Sequence, residues 1–384
     1  MKSKGIVLIL LAFFAPISVF LTDLAIFSLV ILWILDGQFR SKLDIIKSSP
    51  WILSLLLLLF IYLLGMMWGT NHQGAERILQ KTFILLLLPI LYTFNLSQKE
   101  IKYSLFAFLT ATTLSAVVAS LINLGFIKHL FKYSNIFAYN WQNPAFLAYT
   151  DHNIFLAFSL LVSFFLIYNN YSQKTLNIVL VLISILFLTN LYAEKGRSGQ
   201  FAFLIIFLSF SIIAFWNKKR LFFLSLVAVV GINLTAYFLS PKFNQRIIKI
   251  RTQVTQLEKN KVNNLNTRYY LIKYSFKKIR EKPILGYGTG SFVKEFSSIS
   301  EHATKILAGV HKTPHNNYLF IWFELGLVGL VVFLCIFFFQ FKAYKSLNQG
   351  YFRMIFPAVF LLIMLTDTYL LNHNTAVLYC YLSF

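Results

Sequence analysis

The sequence predicts an all-α, polytopic transmembrane bundle, and three observations carry that expectation. Hydrophobic residues make up 58% of the chain and charged residues 12%, with 42 Phe. A soluble domain of this length could not cover so much apolar surface with polar groups. Apolar runs of bilayer length recur from end to end, and helices satisfy their own backbone groups, as lipid demands. The short connections also alternate in positive charge, as the positive-inside rule requires.

The runs begin at residues 5–20 and 24–35. Met1-Lys2-Ser3-Lys4 looks like the start of a signal peptide, but no small-x-small cleavage site follows and a second apolar segment begins almost at once. An uncleaved first span is expected. Runs at 51–68, 78–94 and 101–124 come next, then 154–168, 176–192, 201–216 and 221–239. The stretch 240–314 is polar and basic; after it come 318–341, 354–371 and 375–384, the last barely long enough to cross. The expected organisation is about 12 spans in three parts. These are 1–239 with the first nine spans, a partly helical loop 240–314, and 315–384 with the remaining three. Cys335 and Cys380 both fall inside apolar runs and read as neither a disulfide framework nor a metal site.

Placing both termini in the cytoplasm puts the basic short loops inside: Arg40/Lys42/Lys47, Lys99/Lys102, Lys174, Lys218/Lys219/Arg220 and Lys342/Lys345/Arg353. The loop 240–314 then lies outside, and long loops translocate largely regardless of charge. It holds 15 Lys and Arg against four Glu, a net +11 out of the chain's +22. Nucleic acid is excluded as a partner on that side of a membrane. Anionic lipids, phosphorylated glycolipids and lipid diphosphates are the natural targets, with plain headgroup anchoring accounting for most of the lysines. Within the loop, 269–282 reads as an amphipathic surface helix, followed by the glycine-spaced turn Pro283-Ile284-Leu285-Gly286-Tyr287-Gly288-Thr289-Gly290. As a nucleotide cradle that turn is weak, because no strand precedes it and no Lys-Ser/Thr follows.

Three polar features gather on the outer face. His315, in Pro314-His315-Asn316-Asn317-Tyr318-Leu319, stands where the loop returns to an apolar helix. A neutral imidazole there can take the proton of a substrate hydroxyl; the competing reading is a residue that bonds a headgroup or an orphan backbone group. Arg197 opens a span in Glu194-Lys195-Gly196-Arg197-Ser198-Gly199, and Arg268 opens the amphipathic helix. Guanidinium forks suit the oxygens of a diphosphate, against helix capping or snorkelling as the simpler role. Asp151-His152-Asn153 could touch sugar, though capping by Asp151 accounts for it equally. Glu324 is expected inside the bundle near Gly326 and Gly329, and His302 and His311 read as ordinary loop histidines. With no Asp-x-Asp pair among Asp23, Asp36, Asp44, Asp151 and Asp367, no dedicated divalent-metal site is expected, and no cofactor.

Arg197-Ser198-Gly199 opening a span, Arg268 ahead of the Ile284–Gly288 turn, and His315-Asn316-Asn317-Tyr318-Leu319 with Glu324-Leu325-Gly326-Leu327-Val328-Gly329 resemble the O-antigen ligase/polymerase superfamily. The motifs cover roughly 197–330, and the earlier spans agree only in hydropathy and number. The resemblance implies a GT-C-like glycosyltransferase of the bacterial inner membrane with its active site facing the periplasm. It implies an undecaprenyl-diphosphate-linked glycan as donor and a lipid A–core oligosaccharide as acceptor, joined with inversion and without metal. On the matching positions, His315 would activate the acceptor hydroxyl while Arg197 and Arg268 hold the diphosphate. Arg246 or Arg251 could supply charge in place of Arg268, and with Asn316 and Tyr318 they are candidates for cavity or acceptor contacts. Alternatives are a repeat-unit polymerase, a ligase attaching glycans to protein, and, from another class, a transporter of the lipid-linked glycan. A transporter should show inverted repeats, and the sequence shows none.

Overall fold

The computed structural model describes every residue except 1, 128–143, 171, 195, 242, 246–247, 249–266, 300–310 and 348. Among the described residues all regular structure is helical. In chain order come α1 (Ser3–Phe14), α2 (Val19–Leu35), α3 (Phe39–Lys47), α4 (Pro50–Leu64) and α5 (His72–Thr82). A 3-10 turn (Phe83–Leu86) leads into α6 (Leu87–Thr93), followed by α7 (Gln98–Asn123), α8 (Tyr149–Asn169), α9 (Lys174–Ala193), α10 (Arg197–Phe215) and α11 (Lys219–Leu239). The amphipathic segment forms α12 (Thr267–Ile279), α13 (Phe292–Ser297) follows the glycine-spaced turn, and then come α14 (Asn317–Lys345), α15 (Gly350–Ile363), a 3-10 turn (Tyr369–Leu371) and α16 (His373–Ser383).

Six of these, α7 to α11 and α14, are long and apolar enough to cross a bilayer, or seven spans if the α2–α3 pair, bent by 110°, is one. This is a multi-pass membrane chain. The remaining apolar runs give helices shorter than the roughly 20 residues a bilayer needs. Run 78–94 is interrupted by a 3-10 turn, and 354–371 leaves its helix after Ile363.

The chain divides into two compact units, each drawn from separate stretches. The first comprises Met1–Gly37, Phe94–Arg246 and Tyr351–Val359, and its centre is α8, buried continuously from Asp151 to Val162. Between helices in lipid the hydrophobic drive is small, so close packing and polar contacts hold them. Both are present: Ser159 and Ser163 are fully buried on α8, and Asn153 Nδ2 donates to Leu191 O at 3.3 Å and Gly196 O at 3.1 Å. A Cβ at Gly199 would collide with the Asn153 backbone, so the α9–α10 turn sits directly on α8. Ser97 and Glu100 start α7 with a reciprocal capping box, and Glu100 Oε1 also accepts from Lys2 N at 3.0 Å, tying in the start of α1.

The second unit comprises Gln38–Thr93, Ile247–Gly350 and Phe360–Phe384. Here α14 packs along α4 and is broken at Gly326, whose φ of 65° and ψ of −167° leave the helical region. The turn after α12 fills the break. Leu327 N donates to Pro283 O at 2.9 Å, while Tyr287 N and Gly288 N donate to Phe323 O and Glu324 O at 3.0 and 2.8 Å. Backbone groups that the break would orphan inside the membrane are thereby satisfied. Only glycine fits at 326, because a Cβ there would meet the Ile284 carbonyl and φ is positive. The glycine-spaced turn therefore serves close backbone approach. Glu324 is buried as expected, its Oε1 accepting from Phe292 N at 3.4 Å. The apolar face of α12 (Tyr270, Leu271, Tyr274, Ile279) packs with Phe292 and Phe296 of α13 onto Leu319, Phe320 and Phe323 at the start of α14. The helix expected at the outer surface thus also anchors the return of the loop into α14.

Candidate functional site

His315 occupies the turn into α14 with φ at 51°, left-handed backbone that few non-glycine residues adopt and histidine tolerates better than most. The residues after it hold that turn. Asn316 caps α14 by accepting from Leu319 N at 3.0 Å, and its Nδ2 donates to Leu365 O at 3.1 Å. Asn317 N donates to Met364 O at 3.0 Å, and the Tyr318 hydroxyl to Leu361 O at 2.7 Å. The Asn-Asn-Tyr stretch is in this way stitched to the end of α15 and the segment that follows it, and the amide of Asn316 and the hydroxyl of Tyr318 are both engaged by backbone.

That stitching sets Asp367 against His315. Imidazole Nδ1 lies 2.9 Å from Asp367 Oδ1, which also accepts from Thr368 N at 2.7 Å. Thr313 Oγ1 meets Thr368 Oγ1 at 3.2 Å and accepts from His315 N at 3.4 Å, closing a small loop around the pair. On the other side of the ring, His311 Nδ1 lies 3.0 Å from His315 Nε2. Burial works against the Asp367 carboxylate. The hydrogen bond and charge of His315, the Thr368 amide and the charge of Arg268 outweigh it, holding Asp367 below its ordinary value. Burial lowers His311 below the usual histidine value; His315 and Arg268 add to that and Asp367 opposes it. An ionised carboxylate only accepts hydrogen bonds, so it fixes the proton on His315 Nδ1 and leaves Nε2 basic.

Arg268, exposed at the start of α12, is close enough for its charge to act on both Asp367 and His311. The structure therefore brings together His315, Arg268, Asn316 and Tyr318 within the second unit. Arg197 is the exposed first residue of α10 and belongs to the first unit. Arg246 and Arg251 lie outside the described residues. Sequence reasoning missed Asp367 and the role of His311. A signal for Asp367 existed, since it is the sole acid after Glu324 and an imidazole base needs an orienting partner. His311 had none beyond its position four residues before His315. Among the described residues no group of three His, Cys, Asp or Glu is arranged to hold a metal ion.

Residues 180–334, which include Arg197, Arg268, His311 and His315, match the O-antigen ligase family. An uncharacterized protein of Haemophilus influenzae is 28% identical over 305 residues, covering 76% of this chain and 71% of its own length. A Rickettsia conorii protein named as a candidate polysaccharide ligase is 35% identical over 97 residues, and a Rickettsia felis relative of the same description is 34% identical over 89. Those two alignments span 24% and 22% of the respective relatives. The segment 180–334 of this membrane chain is thus similar to O-antigen ligases.

Proposed function

We propose that this protein is an O-antigen ligase. It transfers a glycan from undecaprenyl diphosphate to a hydroxyl of lipid A–core oligosaccharide, at the periplasmic face of the inner membrane. In this reading the fold is GT-C-like with about 12 membrane crossings and both termini in the cytoplasm.

The observation that carries the proposal is the His315–Asp367 pair at 2.9 Å, within reach of the Arg268 charge, where the loop rejoins α14. An alcohol is a poor nucleophile while it keeps its proton. A neutral imidazole held in one tautomer by a carboxylate removes that proton as the new bond forms, an effect of about 10²- to 10⁴-fold in rate. The acceptor oxygen attacks the anomeric carbon from the face opposite the diphosphate, which gives inversion. The diphosphate leaves with the bonding electron pair, and Arg268 and Arg197 neutralise its developing charge without a metal ion. The basic loop favours approach of anionic donor and phosphorylated acceptor alike.

The test is gel analysis of lipopolysaccharide from a deletion strain. The ligase reading expects loss of the whole glycan ladder with lipid-linked polymer accumulating. Core carrying a single repeat unit would point to a polymerase, and an intact ladder would overturn both.

A further inference from the structure

We propose that His311 is the outer member of an Asp367–His315–His311 relay, and that His311 Nε2 is the atom that takes the acceptor's proton. This rests on the glycan-transfer reading and refines it: His315 activates the acceptor through His311 rather than by touching it.

The order of hydrogens follows from the geometry. The Asp367 carboxylate offers no hydrogen, so the 2.9 Å contact requires one on His315 Nδ1. In the neutral ring Nε2 is then a lone pair, and His311 Nδ1, 3.0 Å away, must donate to it. The basic nitrogen left over is Nε2 of His311, which neither His315 nor Asp367 engages. A hydroxyl reaching His315 directly would have to displace His311; a hydroxyl reaching His311 meets a base already coupled to the partly buried carboxylate. Among the described residues the charged and titratable groups that act on His311 are His315, Asp367 and Arg268, with Lys312 next in the chain. Their balance, together with burial, disfavours the imidazolium on His311, which keeps it neutral when the reaction begins.

In the step itself the acceptor O–H bond breaks and its proton joins His311 Nε2. The hydrogen on His311 Nδ1 crosses to His315 Nε2, so the positive charge ends on His315 beside Asp367. The acceptor oxygen bonds the anomeric carbon, and the electron pair of the breaking carbon–oxygen bond departs with the diphosphate. The extra proton then returns along the same two rings to water or to the diphosphate.

The experiment measures transfer by the purified full-length protein with undecaprenyl-diphosphate glycan and lipid A–core. His311→Asn keeps an N–H able to donate to His315 Nε2 but cannot pass a proton on, and His311→Ala removes the ring. Both should lose about 100-fold or more in kcat with KM within about threefold, and added imidazole should raise the rate of His311→Ala. Thermal unfolding of each variant checks that it is folded, with His311→Gln as the substitute for one that is not. A folded variant within about threefold of the wild-type rate, or His311→Ala unmoved by imidazole, overturns the relay. If the wild type transfers nothing, the glycan-transfer reading itself fails. If the wild type transfers, His315→Ala is inactive and the His311 variants are active, only the relay fails.

Discussion

Each compact unit holds a histidine with an aspartate in its company, and the two are built in opposite ways. In the first unit Asp151 and His152 are adjacent on α8, and His152 is 1% exposed, its Nδ1 3.2 Å from Ser115 Oγ and its Nε2 without a hydrogen-bond partner. In the second, His315 and Asp367 are 52 positions apart, yet their side chains touch at 2.9 Å and remain 29% and 25% exposed. Neighbours on a helix point in different directions, so adjacency in sequence does not make a working pair. A turn on each partner does, and it leaves the pair partly exposed. The first histidine packs; the second can react.

Asp367→Asn bears most heavily on that difference. An amide in place of the carboxylate can present an N–H to His315 Nδ1 and favour the wrong tautomer, so transfer should fall by about 100-fold or more. The same group sets a pH dependence of stability. Its folded-state value lies below the ordinary 3.8, so its stabilisation is fully present above that value and is lost as pH falls through the depressed one. Acid unfolding monitored by tryptophan fluorescence should therefore begin at higher pH in Asp367→Asn than in the wild type. Coincident acid limbs would remove Asp367 from the stability account.

Arg197→Lys comes next, with an expected loss of about tenfold in kcat/KM, because lysine keeps the charge and loses the two-pronged fork. Unchanged transfer would reduce Arg197 to anchoring the start of α10. His152→Ala should have the smallest effect on chemistry. Turnover per folded molecule should stay within about twofold, while thermal stability drops by about 1–3 kcal/mol from the lost packing. A large fall in turnover at unchanged stability would make His152 part of the reaction and erase the contrast between the units.

The helices were legible because bilayer-length apolar runs have few other uses, and His315 was legible because it marks a polar-to-apolar boundary. Asp367 was not, because its partner is set by where α15 stops and how 364–368 turns back onto Asn316 and Asn317. Gly326 was visible only as a glycine near Glu324 and Gly329. Its positive φ and the insertion of the Pro283–Gly288 turn depend on contacts 36 to 44 positions apart that no local pattern encodes. The glycines of that turn were visible as a motif, but their reason was steric fit to a broken helix.

A double-mutant cycle on His315→Ala and Asp367→Ala, read as kcat for glycan transfer by purified protein, is the most direct probe of the proton-accepting couple. If the two side chains act as one unit, each single variant is severely impaired and the double variant is no worse than His315→Ala. Losses that multiply in the double variant, or a His315→Ala protein that still turns over at near the wild-type rate, would contradict it.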